Sequence, residues 1–281
     1  MRRGSTRQPV WAVAAWVVAV GAVILLARAP GSVGAPGHPF PRFTEPNCLR
    51  ADFPSEAQRV RAELCRATRD SAVGRAVVVL HGCGGFSTLD HRLAVTLADD
   101  GISTLYPDYF GPTPPPGDRG FCVGGGNAGR ASFSRRAQVF TRWLQVVRDA
   151  GAALARTAGI NPRRVGLVGW SLGGGLAITA AESAPPAGRR RARLFSAVAA
   201  FSTGSRGREA ATVSSLPPTL LLSAGRTDAI PLSSTLALYD AARTAGVKVS
   251  LFVYPDGSHD WPRRQGTIGI AHAARFLRAS L

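Results

Sequence analysis

A chain of 281 residues that is 45% hydrophobic and 18% charged holds enough apolar material for one large folded domain and too little charge for a disordered protein. Its formal charge of +17 invites a nucleic-acid reading, but the basic residues are scattered and all but Lys248 are arginine. The densest group, Arg189-Arg190-Arg191-Ala192-Arg193, reads as a solvated loop, so no nucleic-acid partner is expected, while attraction to an anionic membrane surface stays compatible.

Residues 1–29 stand apart from the fold. Arg2, Arg3 and Arg7 precede an uncharged apolar run from Val10 to Ala27, which as a helix would span roughly 27 Å. The basic flank predicts a cytoplasmic N-terminus with the rest of the chain outside. Ala27-Arg28-Ala29 has the form of a signal-peptidase site, but Pro30 follows it, which favours an uncleaved membrane anchor over a removed signal peptide. Residues 30–46, rich in Pro and Gly, read as a linker, and 47–281 as the folded domain.

The domain opens with a predicted helix over Ser55–Thr68, flanked by Cys48 and Cys65, which could staple the N-terminal extension to the domain. Cys83 and Cys122 fall in loops after strands, and a second bridge is compatible with their positions; an exported protein permits disulfides, and the sequence alone does not choose the pairing. No C-x-x-C or Cys/His cluster suggests zinc, and no cofactor is implied.

From Arg75 the pattern becomes regular. Strands are expected at Ala76–Leu80, Ile102–Tyr106, Arg164–Val168, Phe195–Phe201, Thr219–Ser223 and Val247–Tyr254. Between them come helices at Leu89–Asp99, a long one carrying Val139, Trp143, Val146, Val147, Ala150 and Leu154 on one face, Leu172–Ser183, Ser233–Ala245, and a last one with Ile270, Ala273, Ala274 and Leu277 inward. Continuous apolar strands alternating with amphipathic helices predict an α/β fold, a mostly parallel sheet covered on both faces, with reactive loops beyond the carboxyl ends of the strands.

Four segments at those ends carry chemistry. Gly169-Trp170-Ser171-Leu172-Gly173 joins a strand directly to a helix, the form of a nucleophile elbow: the turn strains the backbone at Ser171 and leaves no room for side chains on either side. His81-Gly82-Cys83-Gly84-Gly85 is a turn in which the Cys83 amide, with that of Leu172, can face an oxyanion. His81 itself reads as a structural hydrogen-bonding group, and Cys83 has no neighbour in sequence that would activate it. Gly225-Arg226-Thr227-Asp228 supplies a carboxylate able to orient a histidine, and Gly257-Ser258-His259-Asp260-Trp261 supplies a loop histidine able to take the serine proton. The order Ser171, Asp228, His259 is that of a hydrolytic triad.

These motifs, together with Tyr106-Pro107-Asp108, resemble the dienelactone hydrolase branch of the α/β-hydrolase superfamily from Arg75 to the C-terminus. The resemblance implies an α/β-hydrolase fold, Ser171, Asp228 and His259 as nucleophile, acid and base, and the Cys83 and Leu172 amides as oxyanion hole. Dienelactone hydrolases proper carry Cys at the position of Ser171 and Glu at that of Gly82, so the expectation is a serine hydrolase of a carboxylic ester or lactone, with dienelactone itself not the expected substrate. A small-peptide peptidase and a non-catalytic, membrane-tethered binding protein are the rival readings. Phe110–Gly129 is the expected rim of the substrate site.

Overall fold

The computed structural model describes residues 45–56, 58–111, 130–182, 193–204, 213–225, 232–255, 257, 259 and 267–281. The expected anchor, residues 30–44 of the linker, the arginine cluster up to Ala192, Cys122, most of the rim segment and Asp228 lie outside these residues. Among the described residues no helix is long and apolar enough to cross a membrane.

The described residues form ten strands: β1 (Cys48–Arg50), β2 (Phe53–Ser55), β3 (Gln58–Val60), β4 (Ala62–Cys65), β5 (Ala76–Leu80), β6 (Ser103–Pro107), β7 (Val165–Trp170), β8 (Val198–Phe201), β9 (Thr219–Ala224) and β10 (Val249–Tyr254). Eight form one sheet in the order β1-β4-β6-β5-β7-β8-β9-β10, and β2 and β3 make a separate hairpin. From β6 to β10 every neighbouring pair is parallel, while β4 runs antiparallel to β6 and to β1.

Among the described residues five α-helices cover the sheet: α1 (Thr88–Asp99), α2 (Arg130–Ala155), α3 (Leu172–Glu182), α4 (Leu232–Thr244) and α5 (Thr267–Ser280). The stripe expected on α2 is inward, with Val139, Trp143, Val146, Val147, Ala150 and Leu154 all buried against one face of the sheet together with α3. On the other face Leu93, Ala94 and Leu97 of α1 and Ala273, Ala274 and Leu277 of α5 close a second core. Strands β5, β7, β8 and β9 are buried throughout, as parallel strands covered on both sides must be.

The helix expected over Ser55–Thr68 is not formed; its residues make β3, β4 and the end of β2. Glu, Ala, Gln and Arg there are good helix formers, which masks the period-two spacing of buried Val60, Ala62 and Leu64. Pairing of β4 with both β1 and β6 overrides that weak local preference. Cys48 and Cys65 are therefore cross-strand partners in register, joined by a disulfide across a sequence separation of 17. Closing a loop of that size is worth roughly 3 kcal/mol in the chain-entropy account.

Candidate active site

The sheet delivers Ser171 at the end of its central strand. β7 is buried along its length, and the next residue turns the chain straight into α3. Ser171 sits at φ 51°, in the left-handed region, a strain of roughly 1–3 kcal/mol that surrounding contacts must hold. They do so on both sides: its N–H donates to the Phe201 carbonyl at 2.9 Å, and its carbonyl accepts from Gly175 N–H at 3.0 Å. The flanking glycines answer to space. A Cβ on Gly169 would strike the Gly173 backbone, and one on Gly173 would strike the carbonyl oxygen of Leu80. The first turn of α3, with the Leu172 amide at its start, thus packs directly on the backbone that leaves β5.

That backbone forms the second part of the site. After Leu80 the chain makes a tight turn in which Gly85 N–H donates to the Gly82 carbonyl at 3.1 Å, with Gly85 at φ 75°. A Cβ built on Gly82 would lie 3.0 Å from Trp170 Cδ1 and 3.7 Å from Ser171 Cβ, so this turn abuts the elbow. The loop then ends at Ser87, whose N–H is held by the Tyr106 hydroxyl at 2.9 Å and whose own hydroxyl caps α1 through Asp90. His81 is fully buried, stacked on Tyr109 with ring centroids 3.8 Å apart, and burial pushes its pKa down to about 4. It makes a structural hydrogen bond, as expected, from Nδ1 to the Gly82 carbonyl at 2.8 Å. Cys83 is tied in a disulfide whose other half is outside the described residues, and so offers no thiolate.

Of the other two predicted residues, His259 is half-buried beyond β10, its ring 6.0 Å from that of Trp170 and at 75° to it. It therefore stands next to the residue that precedes Ser171. Asp228 lies outside the described residues, past the end of β9. Four of the five predicted site residues thus gather at the carboxyl edge of the sheet.

Two features at this edge escape the sequence. Ser202 follows β8 at φ 44°, fully buried, with no hydrogen-bond partner for its hydroxyl among the described residues; the register of Trp170 with Phe201 makes it the neighbour of Ser171 on the next strand. Only the serine's place at a strand end hints at it. The other feature is the aromatic group behind the turn, where Phe110 meets His81 edge-on at 4.6 Å and Trp143 at 4.8 Å.

One further cluster has metal-ligand residue types. His91 on α1 is bonded at Nδ1 to Glu63 (2.6 Å) and at Nε2 to Glu45 (2.9 Å). Because the two ring nitrogens point apart, each to its own carboxylate, the arrangement suits an imidazolium bridging two anions. The Glu63 carboxylate, then Glu45, hold the His91 pKa above its ordinary value against the opposing effect of burial.

A parallel sheet sandwiched by helices, with a strained serine elbow facing a glycine turn, defines an α/β-hydrolase. The sequence profile of the dienelactone hydrolase family matches residues 63–278, and the chain belongs to that family. Among solved structures the fold is similar to a dienelactone hydrolase from Anabaena variabilis (19% identity, TM-score 0.60, covering 84% of this chain and 99% of that one). It is similar also to a dienelactone hydrolase-like promiscuous phosphotriesterase from metagenomic libraries (18%, 0.62, 83% and 98%). The acylaminoacyl peptidase of Pyrococcus horikoshii shares the fold at 14% identity and TM-score 0.62, over 83% of this chain and 42% of its own. No curated protein matches the sequence.

Proposed function

We propose that the protein is a serine hydrolase of a small carboxylic ester or lactone, working through an acyl-enzyme on Ser171. The observation that carries the reading is the left-handed Ser171 at the junction of β7 and α3, directly beside the Gly82 turn. In this scheme Ser171 Oγ attacks the acyl carbon while His259 takes its proton. The Cys83 and Leu172 amides receive the oxygen as it gains charge, and the alcohol leaves with the proton from His259. Water, deprotonated by His259, then attacks the acyl-enzyme and frees Ser171. Asp228 holds the His259 tautomer and balances its positive charge.

Glycine at position 82 supports an ester other than dienelactone, since no carboxylate stands there beside the nucleophile. Mass spectrometry after fluorophosphonate treatment tests the scheme: one adduct is expected on Ser171 and none on Ser171→Ala, which should also lose at least about 1,000-fold in kcat. An unlabelled, folded wild-type protein would instead favour a binding protein that has lost the reaction. The likeness to an acylaminoacyl peptidase makes blocked aminoacyl anilides a useful second panel.

We also infer that the domain works outside the cytoplasm, carried there by the N-terminal apolar run. The Cys48–Cys65 disulfide supports this, because such bonds persist in oxidising compartments. Protease digestion of intact cells or spheroplasts should degrade the domain if it faces outward.

A further inference from the structure

His81 has no part in the scheme above, yet it is fully buried at the site and carries a liability there: among the described residues its Nε2 has no hydrogen-bond partner. A phenyl ring could stack on Tyr109 and meet Phe110 in the same way without burying an orphaned nitrogen. What imidazole adds is one donor. A carbonyl oxygen only accepts, so the 2.8 Å contact between Nδ1 and the Gly82 oxygen puts the ring hydrogen on Nδ1 and leaves Nε2 bare.

That donor acts on the peptide that matters. No peptide bond among the described residues is cis, so the Gly82 carbonyl and the Cys83 N–H point in opposite directions within one rigid plane. The carbonyl is gripped twice, by His81 Nδ1 and by Gly85 N–H. Gripping it sets the direction of the Cys83 N–H. The imidazole is itself fixed, since Tyr109 stacks on the ring and its hydroxyl donates to the His81 carbonyl at 2.6 Å.

We propose that His81 is a positioning residue of the oxyanion hole: as the neutral Nδ1–H tautomer it holds the Gly82 carbonyl so that the Cys83 N–H faces the acyl oxygen of a substrate bound at Ser171. The proposal rests on the hydrolase reading above and deepens it. His81 touches no substrate; it works through one peptide plane. Burial disfavours the imidazolium and so keeps the ring in the neutral form.

Three variants separate this role from simple packing. In His81→Phe the stack is kept and the donor lost, in His81→Asn the side-chain amide nitrogen falls where Nδ1 stands, and in His81→Gln it falls where Nε2 stands. Assayed on p-nitrophenyl butyrate, His81→Phe is expected to lose about 100-fold in kcat with KM within about twofold of wild type, the scale of a misdirected oxyanion donor. Its thermal midpoint should be unchanged or higher, because the orphaned nitrogen is gone. His81→Asn should recover kcat to within about tenfold of wild type despite a lower midpoint, whereas His81→Gln should remain as slow as His81→Phe. If His81→Phe does not fold, the Asn and Gln pair decides the matter alone. Full kcat in His81→Phe, or equal losses in Asn and Gln, overturns the proposal while leaving the hydrolase reading intact. A wild-type protein that is neither active nor labelled at Ser171 overturns both.

Discussion

Two buried or half-buried histidines bias the stability of this protein in opposite directions with pH. His81 is neutral in the folded chain, with a pKa near 4 against 6.5 unfolded, so the unfolded state binds the extra proton between those values. Its contribution is complete above pH 6.5 and is lost as pH falls toward 4, by about 3 kcal/mol. His91, between Glu63 and Glu45, has a raised folded pKa, so its contribution is complete below pH 6.5 and is lost as pH rises through that higher value. Thermal midpoints measured across pH should therefore fall less steeply below 6.5 in His81→Phe, and less steeply on the alkaline side in His91→Gln. A slope unchanged by either substitution would mean that other groups set it. Sequence reading reaches Ser171 and His81 because each stands inside a local pattern of glycines. It does not reach His91 and Glu63, 28 residues apart, because their pairing exists only after β4 has entered the sheet.

At the scale of elements, the join between β7 and α3 depends on bare backbone. Gly173→Ala would drive a methyl group into the Leu80 carbonyl that follows from β5, so it is expected to cost several kcal/mol, about 3 or more, and to separate the Leu172 amide from the Gly82 turn. Chemical denaturation and Ser171 labelling would register both effects; a variant as stable and reactive as wild type would contradict the packing described. The Gly82 turn has its own tether in the Cys83 disulfide, and Cys122 is the one cysteine of the chain outside the described residues. Peptide mapping without reductant should recover Cys83 linked to Cys122, and Cys48 linked to Cys65. These elements are legible in sequence where one rule governs them, as with the apolar runs of β5, β7 and β9. The stretch from Ser55 to Cys65 is illegible because its residue types favour a helix while its neighbours in space favour a strand.

For the molecule as a whole, β1 and β4 are the antiparallel part of an otherwise parallel sheet, and they carry more than their length suggests. β4 covers the edge of β6, and both strands are buried from end to end. Deleting residues 45–66 should leave an exposed apolar sheet edge and a chain that associates, visible as high-mass species in light scattering. If the shortened chain remains monomeric and cooperative in unfolding, the sheet does not need that cover.

The chain enters the sheet from the rim away from Ser171: Cys48 is in register with Cys65, and Cys65 with Thr104 near the start of β6. The Leu281 carbonyl is held by Arg164 just before β7 begins, on that same rim. A bead, a dye or a lipid bilayer coupled behind α5 therefore stands at the end of the sheet opposite Ser171, and leaves the approach that a substrate must cross to diffusion in bulk.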